Sequence, residues 1–123
     1  MKVSVARMTI EELHQLPEDG NRYELIDGEL YVSAAPREKH QAVAAELFGL
    51  LHPFVKTNRL GRVYYAALDV FPDPGAQTCV QPDILFVSRE RLHIIRDDGV
   101  YGAPDLVVEI LSESTRKTDV TTK

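Results

Sequence analysis

The sequence predicts a mixed α/β (α+β) domain, and three observations carry that expectation. Asp27-Gly28 sits between two alternating stretches, RYELI and ELYV, which is the signature of a β-hairpin closed by a type I′ turn. Apolar residues recur at helical spacing from about Arg37 to Leu51. Two short apolar runs, ILFV and LVVEIL, each follow a Pro-Asp pair and read as strands. The order of elements is helix, hairpin, helix, strand, strand, strand, helix, which builds a mixed sheet flanked by helices.

Thr9-Ile10-Glu11-Glu12 fits a capping box, in which the Thr9 hydroxyl and the Glu12 carboxylate serve the free amides of a new helix. That helix is expected to stop near Leu16-Pro17. In the hairpin, a two-residue turn pairs Ile26 with Glu29, Leu25 with Leu30 and Glu24 with Tyr31. Tyr23, Leu25, Leu30 and Val32 then share the inward face, which leaves Glu24 on the outer, solvated one. Pro36 suits the entry of the second helix, and Pro53 is expected to bend or end it. His40 falls on the apolar stripe of that helix, in its first turn, and reads as a hydrogen-bonded core histidine. Residues 62–71 read as one strand and residues 80–87 as the next, with pairing incomplete at Pro82 because proline donates no hydrogen bond. Residues 89–102 are a polar connection with a helical turn. Residues 105–111 are apolar on both faces and therefore expected to lie centrally. Residues 112–123 form a threonine-rich, weak helix. A sheet of this kind ordinarily gains another strand, so residues 1–123 are expected to be a single domain that is truncated at its C-terminus.

Composition excludes several classes. The longest apolar runs are far short of the roughly 20 residues that span a bilayer, and the first residues lack a signal-peptide core. The expectation is a cytoplasmic protein without membrane contact. Cys79 is the one cysteine, so no internal disulfide forms and a cysteine-based zinc site is not expected. His14, His40, His52 and His93 show no metal-ligand spacing. No P-loop, G-x-G-x-x-G or G-x-S-x-G occurs. The formal net charge of −5 argues against a protein that coats DNA by phosphate neutralisation. It leaves room for an enzyme that gathers carboxylates around a cation.

Two carboxylates stand out. Glu109 interrupts the apolar run of the last strand, and Asp83 opens the run ILFV. If those strands are neighbours, the two side chains converge on one side of the sheet. A charged carboxylate in a dry site costs several kcal/mol unless it is compensated. Protonation, an Arg or Lys partner, hydrogen bonds or a divalent cation can each compensate it. Magnesium takes one or two carboxylates and keeps water and phosphate in its other positions. The residues also allow plainer readings: Glu109 ends the strand and pairs with Arg116 or Lys117, and Asp83 and Asp105 are Pro-Asp turn chemistry.

The stretches YELIDGELYVSAAP, VQPDILFV and GAPDLVVEILSEST, His40 ahead of its helix, and a trailing D-x-x-x-K made by Asp119 and Lys123 occur in this order. The set resembles the Uma-type family of restriction-endonuclease-like proteins, within the PD-(D/E)xK nuclease superfamily. The resemblance implies a restriction-endonuclease-like central mixed sheet. It implies a DNA endonuclease dependent on Mg2+ (or Mn2+), with Asp83 and Glu109 as catalytic metal ligands and Lys123 as the catalytic lysine. Glu24 and His40 match further positions of the family pattern, and Asp105 would orient its neighbours. Homodimers are common among such nucleases. One departure matters: the superfamily lysine normally stands two residues after the second acid, and Leu111 occupies that place. The alternative reading is a catalytically inactive nuclease-like module that binds nucleic acid or a protein partner.

Overall fold

Thr9 opens the first helix as its side chains dictate. In the computed structural model, which describes residues 4–111, the Thr9 hydroxyl accepts the Glu12 amide and the Glu12 carboxylate accepts the Thr9 amide. Before it lies a strand absent from the sequence reading, β1 (Ser4–Arg7); the helix itself, α1, is short (Ile10–Leu13). The hairpin β2 (Arg22–Ile26) and β3 (Glu29–Ser33) has the expected register, with Leu25 opposite Leu30 and Glu24 opposite Tyr31. Its turn requires two positive φ angles, supplied by Asp27 at 49° and Gly28 at 84°.

Helix α2 spans Glu38–Thr57 and runs through Pro53 rather than ending there. Proline removes one helical hydrogen bond. The last turn is held instead by burial of Val55, which packs with Val63 and Ile84. Beyond it come β4 (Gly61–Tyr65), β5 (Val70–Phe71) and β6 (Ile84–Ser88). A 3-10 turn follows over Arg89–Ile94, then β7 (Ile95–Arg96), β8 (Gly99–Tyr101) and β9 (Leu106–Val108). The expected single strand over residues 62–71 is thus two. β4 pairs antiparallel with β6 as far as Tyr65–Ile84, and the Ala66 amide still reaches the Asp83 carbonyl. The next residue on the partner is Pro82, which has no N–H, so the chain leaves that ladder and β5 joins another.

The mixed sheet is divided into three three-stranded pieces, β1-β3-β2, β4-β6-β9 and β5-β8-β7. β5 and β8 run parallel and the other ladders are antiparallel. Two bridges, Leu25–Cys79 and Val70–Val80, tie the pieces together through the extended segment that precedes β6. Ile84 packs toward α2, while Leu85 and Val87 pack with Val70, Ile94 and Val100. β6 is therefore the strand buried on both sides. The expectation that residues 105–111 form the central strand does not hold among the described residues. β9 lies at the edge of its sheet, with Leu106 and Val107 each 48% exposed. Apolar residues on both faces record a tendency to be covered, and do not by themselves say which neighbours do the covering. No helix among the described residues is long and apolar enough to cross a membrane. The expected C-terminal helix, with Asp119 and Lys123, lies outside the described residues.

Candidate active site

β6 and β9 are antiparallel neighbours, with Ile84 opposite Val108. One step further along the same register sets Asp83 against Glu109. Asp83 is 2% exposed and is the buried acid of the pair, whereas the Glu109 side chain is 46% exposed. The carboxylate in the apolar stretch is thus tolerated because the Glu109 side chain keeps contact with solvent, and the costly burial falls on Asp83.

Three donors compensate it. Arg22 Nη2 lies 2.5 Å from Asp83 Oδ1, and His40 Nε2 lies 3.1 Å from the same oxygen. The Ile110 amide donates to Oδ2 at 2.6 Å. Burial pushes the Asp83 carboxyl up, but the Ile110 amide and the Arg22 guanidinium outweigh it and hold the pKa below the ordinary value. Arg22 reaches the second acid as well, with Nη1 3.6 Å from Glu109 Oε2. Burial opposes the charge on Arg22, yet Asp83, Glu24 and Glu109 together keep its pKa raised. One guanidinium therefore serves two carboxylates from two strands.

Arg22 was absent from the sequence-based candidates, although a signal for it existed. Arg22 and Glu24 are two residues apart on one strand and share a face, so any site that includes Glu24 brings Arg22 with it. That face is not the solvated one expected. Glu24 is 2% exposed and its Oε2 accepts the Gln81 amide at 2.7 Å. The reversal arises because the segment before β6 hydrogen-bonds along the free edge of β2, Leu25 and Cys79 exchanging both backbone bonds at 2.8 Å. Gln81 also donates its side-chain amide to Asp69 Oδ1 at 2.8 Å, which links Glu24 to the neighbouring loop.

His40 is in the first turn of α2, where Nε2 faces Asp83. Its Nδ1 is buried without a hydrogen-bond partner among the described residues, so the core-histidine reading accounts for only one of its nitrogens. Asp105 is elsewhere. Its Oδ2 accepts the Ser88 amide at 2.7 Å and lies 3.2 Å from Arg91 Nη1. Those contacts hold the far end of the β6–β9 ladder, about 16 Å along the strand from Asp83. Lys123 lies outside the described residues, and Leu111, in the superfamily's lysine place, is 59% exposed.

The donor chemistry fits a hard divalent cation. Asp83, Glu24 and Glu109 each act on the one guanidinium of Arg22 through their charges, and magnesium and manganese prefer oxygen donors. Arg22 already bridges two of these acids, so a positive group occupies the position between them.

The family model described as "Putative restriction endonuclease" (Uma2) matches residues 10–123. Among solved structures, the chain is similar to "a putative nuclease belonging to DUF820" from Anabaena variabilis, with a TM-score of 0.69 and 27% sequence identity. The similarity covers 94% of this chain and 64% of that one, so the chain spans less than two thirds of the length of that protein. No curated protein matches. With a family model aligned to nearly all of its length, the chain belongs to the Uma2 family.

Proposed function

We propose that this chain carries the active site of a metal-dependent endonuclease that hydrolyses DNA phosphodiester bonds. The observation that carries the reading is the shared guanidinium: Asp83 and Glu109, from neighbouring strands, approach one cation closely enough to divide it. Asp83 and Glu109 would hold a magnesium or manganese ion, with Glu24 beside them. When bound, such an ion lowers the pKa of a water and offsets the charge that develops on phosphate. The remaining tasks belong to the protein. His40 and the Ile110 amide fix the Asp83 carboxylate in one orientation. Arg22 balances the acids before the ion arrives and would meet a phosphate afterwards. Lys123 is assigned to orienting the nucleophile. The protein would work in the cytoplasm on DNA, and as a homodimer if both strands are cut together.

A second reading is favoured by one observation. Leu111 stands where the superfamily's lysine is expected, which suits a catalytically inactive module that binds nucleic acid or a partner. Plasmid nicking with magnesium or manganese separates the two. The first reading requires nicking that disappears in Glu109→Gln and in Asp83→Asn. If neither ion supports cleavage while DNA still binds, the second reading replaces it.

A further inference from the structure

A second cluster of ligand-type side chains lies apart from Asp83 and Glu109. His14 caps the C-terminal end of α1, Asp69 immediately precedes β5, and Cys79 sits on the segment bridged to β2. One ligand atom from each of the three residues lies within 4.8 Å of the other two. Positions 14, 69 and 79 have no metal-binding spacing, and only the bridged sheets bring them together.

We propose that His14, Asp69 and Cys79 form a binding site for a borderline divalent cation of the zinc type. The donor set of one imidazole nitrogen, one carboxylate oxygen and one thiolate sulfur suits such an ion and not magnesium. His14 Nε2 and Asp69 Oδ2 are 3.2 Å apart. Two ligands at about 2.0 Å on a tetrahedral zinc ion are separated by about 3.3 Å, so this pair already has the spacing of a tetrahedral edge. The ligands are individually held. Gln81 Nε2 donates to Asp69 Oδ1 and leaves Oδ2 for the ion. The imidazole of His14 stands edge-on to Phe71, with ring planes at 89°. Cys79 is buried among Leu13, Leu25, Leu30 and Phe71. The His14 side chain is 48% exposed, which gives an ion an entry path and leaves a fourth position for water.

Without an ion the same groups lie against one another, with the Cys79 sulfur within 4.8 Å of an Asp69 carboxylate oxygen. Burial, then the charge of Asp69, push the thiol pKa up to about 12. Binding replaces that proton: the Cys79 S–H bond breaks, its proton goes to solvent, a sulfur–metal bond forms, and the ion gives up water. An ion there would join α1, the start of β5 and the segment before β6. Through Gln81 it would also steady the amide that holds Glu24.

Cobalt(II) tests this directly, because a thiolate ligand produces a near-ultraviolet charge-transfer band that carboxylates and imidazoles do not. Titrating the whole chain should give one equivalent of the band, one proton released per ion, and displacement of cobalt by zinc. Cys79→Ser should abolish the band. His14→Gln, an exposed change that keeps the fold, should weaken cobalt binding at least about tenfold. Asp83→Asn should leave band and affinity unaltered, which separates this site from the nuclease reading. Absence of the band at saturating cobalt, or a band of unchanged affinity in His14→Gln, overturns the proposal.

Discussion

Arg22 is the side chain on which the acid pair depends. Breaking a buried ion pair by removing one partner typically costs about 3–5 kcal/mol, because the other charge is stranded. Asp83 is 2% exposed, so Arg22→Ala should destabilise the chain by an amount near the low end, since His40 and the Ile110 amide remain. Urea unfolding measures the loss. If the acids accept a divalent ion, millimolar manganese should restore much of the stability of Arg22→Ala, and more than it adds to the wild type. No recovery at any manganese concentration would separate the acid pair from metal binding. Asp83 also predicts a pH dependence. Its folded-state pKa lies below the ordinary 3.8, so the stabilisation is full above that value and disappears as pH falls through the lower one. Asp83→Asn should therefore show a flatter loss of stability as the pH falls below the ordinary carboxylate value. An equally steep acid slope in the variant would mean that other carboxylates control it.

At the scale of elements, two glycines in similar-looking places make opposite demands. Gly61 opens β4 with φ at 150°, and a Cβ there would lie 2.0 Å from the Val87 carbonyl oxygen on β6. β4 and β6 touch backbone to backbone at this point, and no side-chain motion relieves the overlap. Gly61→Ala should cost more than the ordinary ~1 kcal/mol of a glycine substitution and shift the β4–β6 ladder that ends at Asp83. Gly49 is inside α2 with nothing within 4 Å of its would-be Cβ. Gly49→Ala should stabilise by about 0.5–1 kcal/mol through helix propensity and a less disordered unfolded chain. Thermal unfolding of the two variants side by side checks both signs. Equal effects would show that helix α2 and the β4 start do not differ as the backbone contacts require.

Across the whole molecule, legibility in the sequence followed the range of the interaction. The Thr9 cap and the Asp27-Gly28 turn depend on neighbours within a few residues, and both appear as expected. Pro82 marked the break in pairing for the same reason. Glu24 reads wrongly from its own strand because its burial comes from residues 77–81, more than fifty positions away. The edge position of β9 among the described residues was hidden likewise, since it is set by which strands become neighbours. Charge is the property that only the assembled site makes meaningful. The chain carries a net charge of −5, and its candidate site concentrates carboxylates that repel phosphate until a cation offsets them. Exposed Arg37 and Lys39 beside His40 are the nearest basic side chains in sequence to that site. Metal-free DNA binding should therefore be weak and fall steeply with added salt, and manganese or magnesium should strengthen it. Neutralising the pair in Asp83→Asn/Glu109→Gln should have the opposite pattern to an ordinary loss of function. DNA binding without metal should become tighter by a few-fold, as expected for removing two like charges from the contact region, while the response to metal vanishes. Fluorescence anisotropy with a labelled duplex, across a salt series with and without manganese, reads both effects. If the double variant binds metal-free DNA no better than the wild type, phosphate does not approach these acids.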